Sequence, residues 1–568
     1  RQDKGKFADV TTAAGINGSE LSYGLGLGIA DFNADGWPDF YVSNDYSVPD
    51  FLYLNNRNGS FSNQLENSLG HTSQFSMGND VADINNDCLP DIFTLDMLPE
   101  DNRRQKLLLA PDNYGKFNQN LRSGFYYQYM RNMLQLNNGN GTFSEAGQAA
   151  GISNTDWSWS ALLADYDNDG WKDLYVTNGY LRDYTNLDFI NYMNDYVQQK
   201  GRLQREDVME IIQQMPSSNV TNYIFRNEQG EKFSKQNLDW GIDQVSNSNG
   251  AVYADLDNDG DLDLVVNNIN MPAFIYRNES RNLNKHHYLQ IRLSGEAGNT
   301  QGLGAKVKLY SRQQVQALEQ NPARGYLSNV SFALHFGLGS AEKADSLVIT
   351  WNSGKQQRLY EVKADQVLTL AEKDAGDASP PTLPADKWFT EKWFAETNAG
   401  VPYKSIDTFI NDFDRQPLLI SQFSYNGPCM TTYDLNKDGL EDLLIGGEAG
   451  QATGIYMQQS NGTFLPKKVA AFEQDKAFHD ADIAVFDANG DGQPDIYIAS
   501  GGYHNMTEKD PLLQDRLYLN TGNNEFKKSS GLPAVTSSKS CVRAADINGD
   551  GAPDLFVGGR VVPGRYPE

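Results

Sequence analysis

Residues 162–178 read LLADYDNDGWKDLYVTN, and this stretch decides the fold of the chain. A short apolar run leads into an acidic loop with glycine at its sixth position, and a second apolar run follows. Positions 1, 3, 5 and 9 of the loop are Asp165, Asp167, Asp169 and Asp173. Alternate residues of a tight turn can direct their carboxylates at one hard cation, and Ca²⁺ takes about six to eight oxygen ligands. The spacing therefore predicts a calcium loop.

The residues after the loop indicate a strand rather than a helix. An EF-hand requires a glutamate at position 12 and a helix on each side of its loop. Position 12 here is Val176, inside a short run of β-branched and aromatic residues that favours a strand. We therefore interpret the motif as strand, calcium turn, strand, with the backbone carbonyl of Trp171 as a further ligand at position 7.

Six near-copies of the motif occur elsewhere in the chain. Their predicted side-chain ligands are Asp31, Asn33, Asp35 and Asp39; Asp83, Asn85, Asp87 and Asp91; Asp255, Asp257, Asp259 and Asp263; Asp434, Asn436, Asp438 and Asp442; Asp487, Asn489, Asp491 and Asp495; and Asp546, Asn548, Asp550 and Asp554. A single acidic turn is a common surface feature, whereas seven with one spacing are strong evidence. Cys88 replaces the glycine of the second loop, where a residue without Cβ is favoured, so this is the weakest of the seven predicted sites.

A second recurring phrase predicts hairpins between the loops. It reads LYLNNRNGSF at 52–61, LQLNNGNGTF at 134–143 and IYMQQSNGTF at 455–464. Alternating apolar residues lead into Asn-Gly, which tolerates the positive φ of a tight turn between antiparallel strands. Each repeat then holds about four short strands over roughly 50 to 60 residues, which is typical of a β-propeller blade. The fold class is therefore predicted to be all-β.

Three gaps between the loops exceed this period and indicate insertions. The first insertion is rich in tyrosine and phenylalanine, the second has the periodicity of a helical hairpin, and the third gap holds strand-like runs without calcium loops. The predicted domains are 1–280, a partial propeller with four loops and insertions at 97–130 and 186–215; 281–371, a small β-rich domain; 372–388, a linker rich in Pro, Ala and Asp; and 389–568, a second partial propeller with three loops.

Composition restricts the partners. The chain has 568 residues and a formal net charge of −27, and the named loop positions hold 23 carboxylates, so much of the acidity is predicted to be metal ligand. The remaining negative potential would repel a phosphate backbone, which argues against nucleic acid. The three cysteines form no CxxC pair, and no run of 18 apolar residues predicts a membrane span.

These motifs resemble FG-GAP or VCBS-type repeats, which are known from the integrin α-chain propeller. The phrases NTQGLGAKVKLY at 299–310, GYLSNVSFALHFGLG at 325–339 and LVITWNSG at 347–354 resemble the ASPIC/UnbV domain of the cartilage acidic protein-like family, which includes large bacterial cell-surface proteins. The resemblance implies two arrays of integrin α-like blades separated by an ASPIC/UnbV domain, with structural Ca²⁺ at up to seven sites. It also implies a fragment of a longer protein, anchored at the cell surface through a missing N-terminal part.

The function expected from this sequence is an extracellular, calcium-binding scaffold for adhesion or for binding a glycan or protein ligand, without catalysis. The expected recognition surface combines the aromatic insertion with Trp157 and Trp159, because aromatic rings serve as sugar platforms and interface anchors; packing of these rings beneath the insertion is the competing interpretation.

Two other functions stay open from the sequence. A polysaccharide-active lyase or hydrolase would place Tyr126 or Tyr127 beside Arg103 or Arg104 in one cleft. The six histidines form no recognisable catalytic motif, and His335 is expected to be packed rather than to bind a metal. RNA binding is the third possibility, and the acidity of the chain argues against it.

Overall fold

The computed structural model of the chain describes residues 2–3, 5–108, 114–218, 220–312, 314–377, 400–406, 410–425 and 427–567. The chain divides into two compact units, Arg1–Thr382 and Leu383–Glu568. Both units consist mainly of antiparallel β-sheet, which confirms the all-β fold class. The first six residues of the predicted linker, 372–377, are described and begin with a 3-10 helix at Glu372–Asp374, whereas the rest of the linker and the start of the second array, residues 378–399, lie outside the described residues.

The first unit contains four consecutive blades, numbered here in chain order. Their strands are Gly24–Ala30, Asp39–Asn44, Phe51–Asn55 and Phe61–Asn63 in blade 1; Asn79–Ala82, Asp91–Thr94, Met133–Asn137 and Phe143–Glu145 in blade 2; Ser158–Ala164, Asp173–Asn178, Tyr223–Glu228 and Lys232–Lys235 in blade 3; and Ser248–Ala254, Asp263–Asn268 and Phe274–Tyr276 in blade 4. The acidic loop joins the first and second strands of every blade.

The apolar core lies between successive blades. The first strands of neighbouring blades contact one another, so we call them the inner strands. Phe93 and Leu134 of blade 2 pack against Leu163 and Val176 of blade 3 in one buried cluster, and a second cluster joins blades 3 and 4. The second strands of blades 2 and 3 are buried at every residue, so both of their faces are covered.

Both predicted insertions interrupt a blade between its second and third strands. The second insertion forms the predicted helical hairpin, Leu187–Lys200 and Arg205–Gln214. Asn186 caps the first of these helices by accepting a hydrogen bond from the Phe189 N–H. The first insertion, for which the sequence indicated only aromatic content, also contains helices, Asn102–Leu108 and Tyr114–Arg122.

Short elements complete the unit around the blades. They are the strand pairs Gln2–Asp3 with Lys6–Phe7, Thr72–Ser73 with Gln128–Tyr129 and Val220–Thr221 with Val245–Ser246, the α-helices Leu65–Ser68 and Ser280–Asn284, and the 3-10 helix Glu372–Asp374.

A two-sheet domain follows blade 4, and we call it the intervening domain. One sheet has the strand order Leu334–Gly339, His287–Ser294, Gln366–Ala371, and the other has the order Gln314–Glu319, Lys306–Ser311, Lys343–Thr350, Gln356–Lys363. The two sheets enclose one apolar core that includes Val307, Phe336, Leu347 and Trp351.

Residues 319–328 of the intervening domain lie along the inner strands of all four blades. We call these residues the crossing segment. Asn321 donates to the Ile29 carbonyl of blade 1 at 3.1 Å, and Arg324 forms an ion pair with Asp80 of blade 2. The Tyr326 N–H donates to Ser160 of blade 3 at 3.2 Å, and Arg324 contacts the Tyr253 hydroxyl of blade 4 at 3.5 Å. The domain therefore belongs structurally to the blade array.

The second unit holds three further blades. Their strands are Met430–Tyr433, Asp442–Ile445, Gly454–Gln458 and Phe464–Lys467 in blade 5; Asp480–Phe486, Asp495–Ser500, Arg516–Asn520 and Phe526–Lys528 in blade 6; and Ser538–Ala545 and Asp554–Val561 in blade 7. The α-helix Ala470–Gln474 and the 3-10 helices Asp412–Asp414 and Pro511–Leu513 lie between strands. Ile483, Ile496 and Tyr518 lie in the buried core that joins blades 5 and 6.

Candidate functional site: the acidic loops and the opposite ends of the blades

The loop of blade 3 closes through its own carboxylates. Asp165 accepts hydrogen bonds from the N–H groups of Asp169 at 3.0 Å and Gly170 at 2.7 Å, one on each carboxylate oxygen. Asp167 also accepts from the Asp169 N–H, at 3.2 Å, and Asp169 accepts from Trp171 at 2.9 Å. These bonds curl the backbone around the side chains and hold positions 1, 3 and 5 towards one centre.

Position 9 of the same loop ties the turn to the rest of the blade. One oxygen of the Asp173 carboxylate accepts from the Tyr166 N–H at 3.0 Å, and the other accepts from the Asn227 N–H of the third strand at 2.9 Å. Asp173 is fully buried. Its role is therefore partly to fasten the loop to the sheet.

All seven loops repeat this closure. The position 1 carboxylate accepts from the N–H groups of positions 5 and 6 in every loop, and the position 9 carboxylate accepts from the N–H of position 2. In five loops position 9 also accepts from the third strand, at Asn55, Asn137, Asn227, Gln458 and Asn520, and in blade 4 it accepts from Asn278, two residues after that strand. The structure thus gives all seven loops the same hydrogen-bonded turn around the position 1 carboxylate.

Two loops concentrate the most negative charge. The carboxylate oxygens of Asp165, Asp167 and Asp169 lie within 4.8 Å of one another, and so do those of Asp255, Asp257 and Asp263. Burial, and then repulsion by the neighbouring aspartates, raise the pKa of Asp165 well above its ordinary value and that of Asp167 to about 6. A divalent cation at this centre would remove the repulsion and take oxygen ligands of the type that Ca²⁺ prefers.

Arginine side chains form ion pairs with some of these carboxylates in the structure. Arg226 of the third strand contacts Asp167 at 3.0 Å and Asp169 at 2.9 Å, and Arg277 contacts Asp257 at 2.8 Å in blade 4. Arg277 is well exposed, where ion pairs contribute little, whereas Arg226 is only partly exposed and pairs with the buried Asp167. Arg277 can therefore move aside for a cation at small cost.

Cys88 adopts the left-handed conformation that glycine has in the other loops, with φ of 70°. Its N–H donates to Asp83 at 3.0 Å, so the second loop closes like the others. Replacing Cys88 by valine is expected to destabilise the protein by about 1–3 kcal/mol, because a β-branched residue is strained at this φ. Urea unfolding measures the change, and Cys88→Gly is the matched control, with no loss of stability expected. Equal midpoints for the two variants would contradict the assignment of strain.

Sequence analysis missed a set of asparagines that join neighbouring blades. The Asn227 side chain donates to the Lys172 carbonyl of its own loop and to the Ile84 carbonyl of the preceding loop, both at 3.0 Å. Asn137 and Asn278 make the equivalent bonds, to Phe32 at 2.9 Å and Tyr166 at 2.7 Å. The available signal was an asparagine that recurs at or near the end of the third strand in blades 1, 2, 3, 4 and 6.

Replacing Asn227 by alanine is expected to lower the free energy of unfolding by about 2–3 kcal/mol, because it leaves two buried carbonyls without donors. The neighbouring blade 2 hairpin provides a control, since Asn138 is exposed and its replacement by alanine should change stability by less than about 0.5 kcal/mol. Denaturant titration of the two variants side by side tests the claim. It fails if the two losses are equal.

The intervening domain packs directly on the loops. Lys306 forms an ion pair with Asp31, Gln290 donates to Asp255 at 2.8 Å, and the His335 ring contacts the Asn168 amide at 2.6 Å. Burial lowers the pKa of His335 to about 3, so this histidine is a packed neutral side chain, as expected. His286 contacts the Asp167 carbonyl at 2.8 Å, at the junction between the blades and the domain.

At the blade ends away from the loops, the tryptophans proposed as a recognition surface are covered by other rings. Trp157 stacks on Tyr180 with ring centroids 4.3 Å apart, and Trp159 packs against Tyr326 at 5.1 Å. The Trp159 indole N–H donates to the Gly179 carbonyl at 2.7 Å. The packing interpretation therefore describes both tryptophans, and neither offers a free flat platform.

Two of the four residues on which a lyase interpretation depended, Arg104 and Tyr126, are engaged in structural contacts, whereas Arg103 and Tyr127 are exposed. Arg104 binds Asp156 at 2.7 Å and Asp183 at 3.1 Å, and both aspartates are buried. The Tyr126 hydroxyl donates to the Leu69 carbonyl at 2.6 Å. Arg104 therefore joins blade 3 to the two insertions, and Tyr126 fixes the first insertion to blade 1.

A cleft of about 510 Å³ opens beside these tryptophans. Its lining residues are Trp159, Tyr180, Leu181, Arg182, Tyr184, Met215 and Ile269. Tyr180 and Tyr184 lie between the second strand of blade 3 and the helical hairpin, and Met215 comes from the end of the second helix of that hairpin. The cleft is mainly aromatic and aliphatic, which is the usual character of a binding pocket.

Repeated four-stranded sheets with acidic loops, arranged inner strand to inner strand, define a blade-repeat protein. The FG-GAP-like repeat family matches residues 2–94, 124–176, 434–498 and 500–557, and the ASPIC and UnbV family matches residues 295–377. The chain therefore belongs to the FG-GAP-like repeat proteins that carry an ASPIC/UnbV domain. The intervening domain corresponds to the ASPIC/UnbV match.

Curated relatives share parts of this architecture. Cartilage acidic protein 1 of Homo sapiens is 24% identical over 57% of this chain and 53% of its own length. Phosphatidylinositol-glycan-specific phospholipase D of Bos taurus is 29% identical over 24% of this chain and 19% of its own length. The chain thus spans about a fifth of the phospholipase and just over half of the cartilage acidic protein, so the activities of those whole proteins do not transfer to it.

One solved structure covers most of the chain at low similarity. The V. cholerae biofilm matrix protein Bap1 is 11% identical over 94% of this chain and 84% of that chain, with a TM-score of 0.19. A score of this size establishes no shared fold. In the described part of the chain, no helix has both the length and the apolar character needed to cross a membrane.

Proposed function

We propose that this chain is an extracellular, calcium-stabilised scaffold that binds a macromolecular ligand at the blade ends opposite its acidic loops, and that it is not an enzyme. The observation that carries the proposal is the common closure of seven loops around inward-directed acidic side chains. The metal ligands would be the four residues at positions 1, 3, 5 and 9 of each loop, with the position 7 carbonyl.

Calcium would act on structure rather than on chemistry. Each loop joins the inner strand to the second strand, and its position 9 aspartate also holds the third strand in five loops and the chain just after that strand in blade 4. An ion at the centre of the loop would therefore set the geometry of the whole blade. The intervening domain rests on the same loops, so calcium would also stabilise the position of that domain.

The chemistry of these sites and the family both support the proposed extracellular location. Surface calcium loops of modest affinity fill at the millimolar free calcium found outside cells. Relatives that share the repeats and the ASPIC/UnbV domain include cartilage acidic protein 1. The cleft lined by Tyr180 and Tyr184 would present the ligand-binding face, because aromatic side chains at a rigid rim give large contact area at low entropic cost.

Metal analysis combined with a binding screen tests the proposal. The purified chain, stripped with a chelator and then dialysed against calcium, should take up several ions, and Asp165→Asn should lose one of them. Asp239 is exposed and lies outside the loops, so Asp239→Asn is the matched control with an unchanged ion count. Arrays of glycans and extracellular proteins should then show a binder with calcium present. Absence of calcium uptake, or turnover of a bound polysaccharide, would overturn the proposal.

A further inference from the structure

Three aromatic rings and one buried carboxylate lie together at the ends of blades 1 and 2 away from the loops. The Tyr46 ring stands nearly perpendicular to Tyr23, with centroids 5.7 Å apart, and to Phe75, with centroids 6.5 Å apart. Tyr23 and Tyr46 are more than half exposed, whereas Asp45, which directly precedes Tyr46 in the chain, is 8% exposed. The Asp45 N–H donates to the Tyr23 carbonyl at 3.0 Å, which holds the backbones of these two residues side by side. We call this group the aromatic cage.

The Asp45 carboxylate lacks a positive partner. One of its oxygens accepts from the Tyr46 N–H at 2.8 Å, and the other has no hydrogen bond within the described residues. Its acidic neighbours Asp50 and Asp96 are fully buried and are satisfied by hydroxyl and N–H donors. No lysine or arginine of the described chain forms an ion pair with these three carboxylates. Buried carboxylates without a countercharge are costly, so the site favours a cation.

The arginine that lines the adjoining cleft has other partners. Arg182, in the adjoining cleft, donates to the Met215 carbonyl at 3.0 Å and to Ser217 at 3.2 Å. Tyr184 of that cleft lies near the cage, because Tyr46 and Asp45 contribute, after burial and Tyr180, to the rise in its pKa. The cage and the cleft are therefore neighbours, with the negative charge at the cage.

We propose that the aromatic cage binds a primary ammonium group, presented by a lysine side chain of a polypeptide ligand. The inference rests on the proposed function, because the lysine belongs to the macromolecule bound at this face. Aromatic faces attract an ammonium ion, and the single free oxygen of Asp45 accepts one of its N–H donors. The Tyr23 and Tyr46 rings leave the site open to solvent, so the ligand can enter from outside.

Other occupants fit these groups less well. A guanidinium pairs best with both oxygens of a carboxylate, and one Asp45 oxygen is already used by the Tyr46 N–H. A metal ion needs several carboxylates around one point, and the two such groups in the described chain lie in the acidic loops. A sugar ring needs a flat platform, whereas the plane of the Tyr46 ring is at 83° to that of Tyr23 and at 88° to that of Phe75.

Calorimetric titration of the full chain in calcium with three small probes tests the inference. Nα-acetyl-lysine methylamide should bind at least about tenfold more tightly than the norleucine analogue, which has the same stem length without charge, and more tightly than the arginine analogue. Asp45→Asn should weaken the lysine probe about tenfold. Equal affinity for the norleucine probe, tighter binding of the arginine probe or an unchanged affinity in Asp45→Asn would overturn the proposal.

Variants of Tyr46 distinguish a loss of binding at the aromatic cage from a loss of folding. Tyr46 has φ of 69°, which asparagine tolerates, so Tyr46→Asn removes the ring without backbone strain and should abolish lysine binding. Tyr46→Phe should retain it. Tyr360 is exposed on the intervening domain, and Tyr360→Asn is the control with unchanged binding. Calcium uptake measured on the same samples distinguishes the two proposals: intact uptake without lysine binding refutes the cage alone, whereas absent uptake refutes the scaffold.

Discussion

Removal of calcium by a chelator is expected to lower the melting temperature of the chain by on the order of 10 °C. Each occupied site adds about 2.7 kcal/mol when free calcium is one hundred times the dissociation constant, and the first unit alone has four loops. Without the ion, Asp165, Asp167 and Asp169 face one another within 4.8 Å. Differential scanning calorimetry in calcium and in chelator measures the shift, and a melt that the chelator leaves unchanged would contradict the calcium assignment.

Carboxylates of the acidic loops also make the stability change on calcium removal depend on pH. Burial raises the pKa of Asp39 to about 6 and that of Asp91 to about 7, above the value of an unfolded aspartate near 4. The calcium-free folded state then binds more protons than the unfolded state between about pH 4 and 7, so its stability falls as pH rises through this window. With calcium bound, stability should instead rise with pH, because protons compete with the ion for the same oxygens.

A pair of melting series, with and without calcium from pH 5 to pH 7.5, checks this expectation. The chelated protein should melt at a higher temperature at pH 5 than at pH 7.5, and the difference between the calcium and chelator series should widen as pH rises. Magnesium at the same concentration is the control, because it demands a tighter octahedral site. Parallel series at all pH values would show that the loop carboxylates are not the linked groups.

The loops could be predicted from sequence because their determinants are local. The ligands of each site lie within one turn, and the hydrogen bonds that close it join residues two to seven positions apart. The strands on either side follow from short apolar runs, and the helical hairpin follows from its periodicity. These features can be predicted without knowing which blades become neighbours.

The contacts between blades could not be predicted in the same way. Asn227 and Ile84 are separated by 143 residues, and Arg324 and Asp80 by 244. Their pairing depends on the order of blades around the inner strands. The same limit applies to the rings, since no local pattern shows that Tyr180 covers Trp157 while Tyr46 stays open. The residues assigned here to ligand binding are therefore ones that only the three-dimensional arrangement brings together.

The replacement of Arg324 by methionine is expected to destabilise the first unit by about 3–5 kcal/mol. Arg324 crosses from the intervening domain into the inner strands, where it pairs with Asp80 and donates to the Leu163 carbonyl at 3.1 Å. Asp80 is 1% exposed, so loss of the arginine leaves a buried carboxylate without a countercharge. Denaturant unfolding with and without calcium measures the change. If the crossing segment joins all four blades, the transition should also become broader.

Two further variants separate the charge from the packing. Asp80→Asn combined with Arg324→Met should recover part of the loss, because the neutral amide can still accept the Leu163 N–H that Asp80 accepts at 2.7 Å. Lys343→Met breaks the exposed pair between Lys343 and Glu361 and should cost less than about 0.5 kcal/mol. A loss for Arg324→Met no greater than that for Lys343→Met would mean that the intervening domain only rests on the blades and does not hold them together.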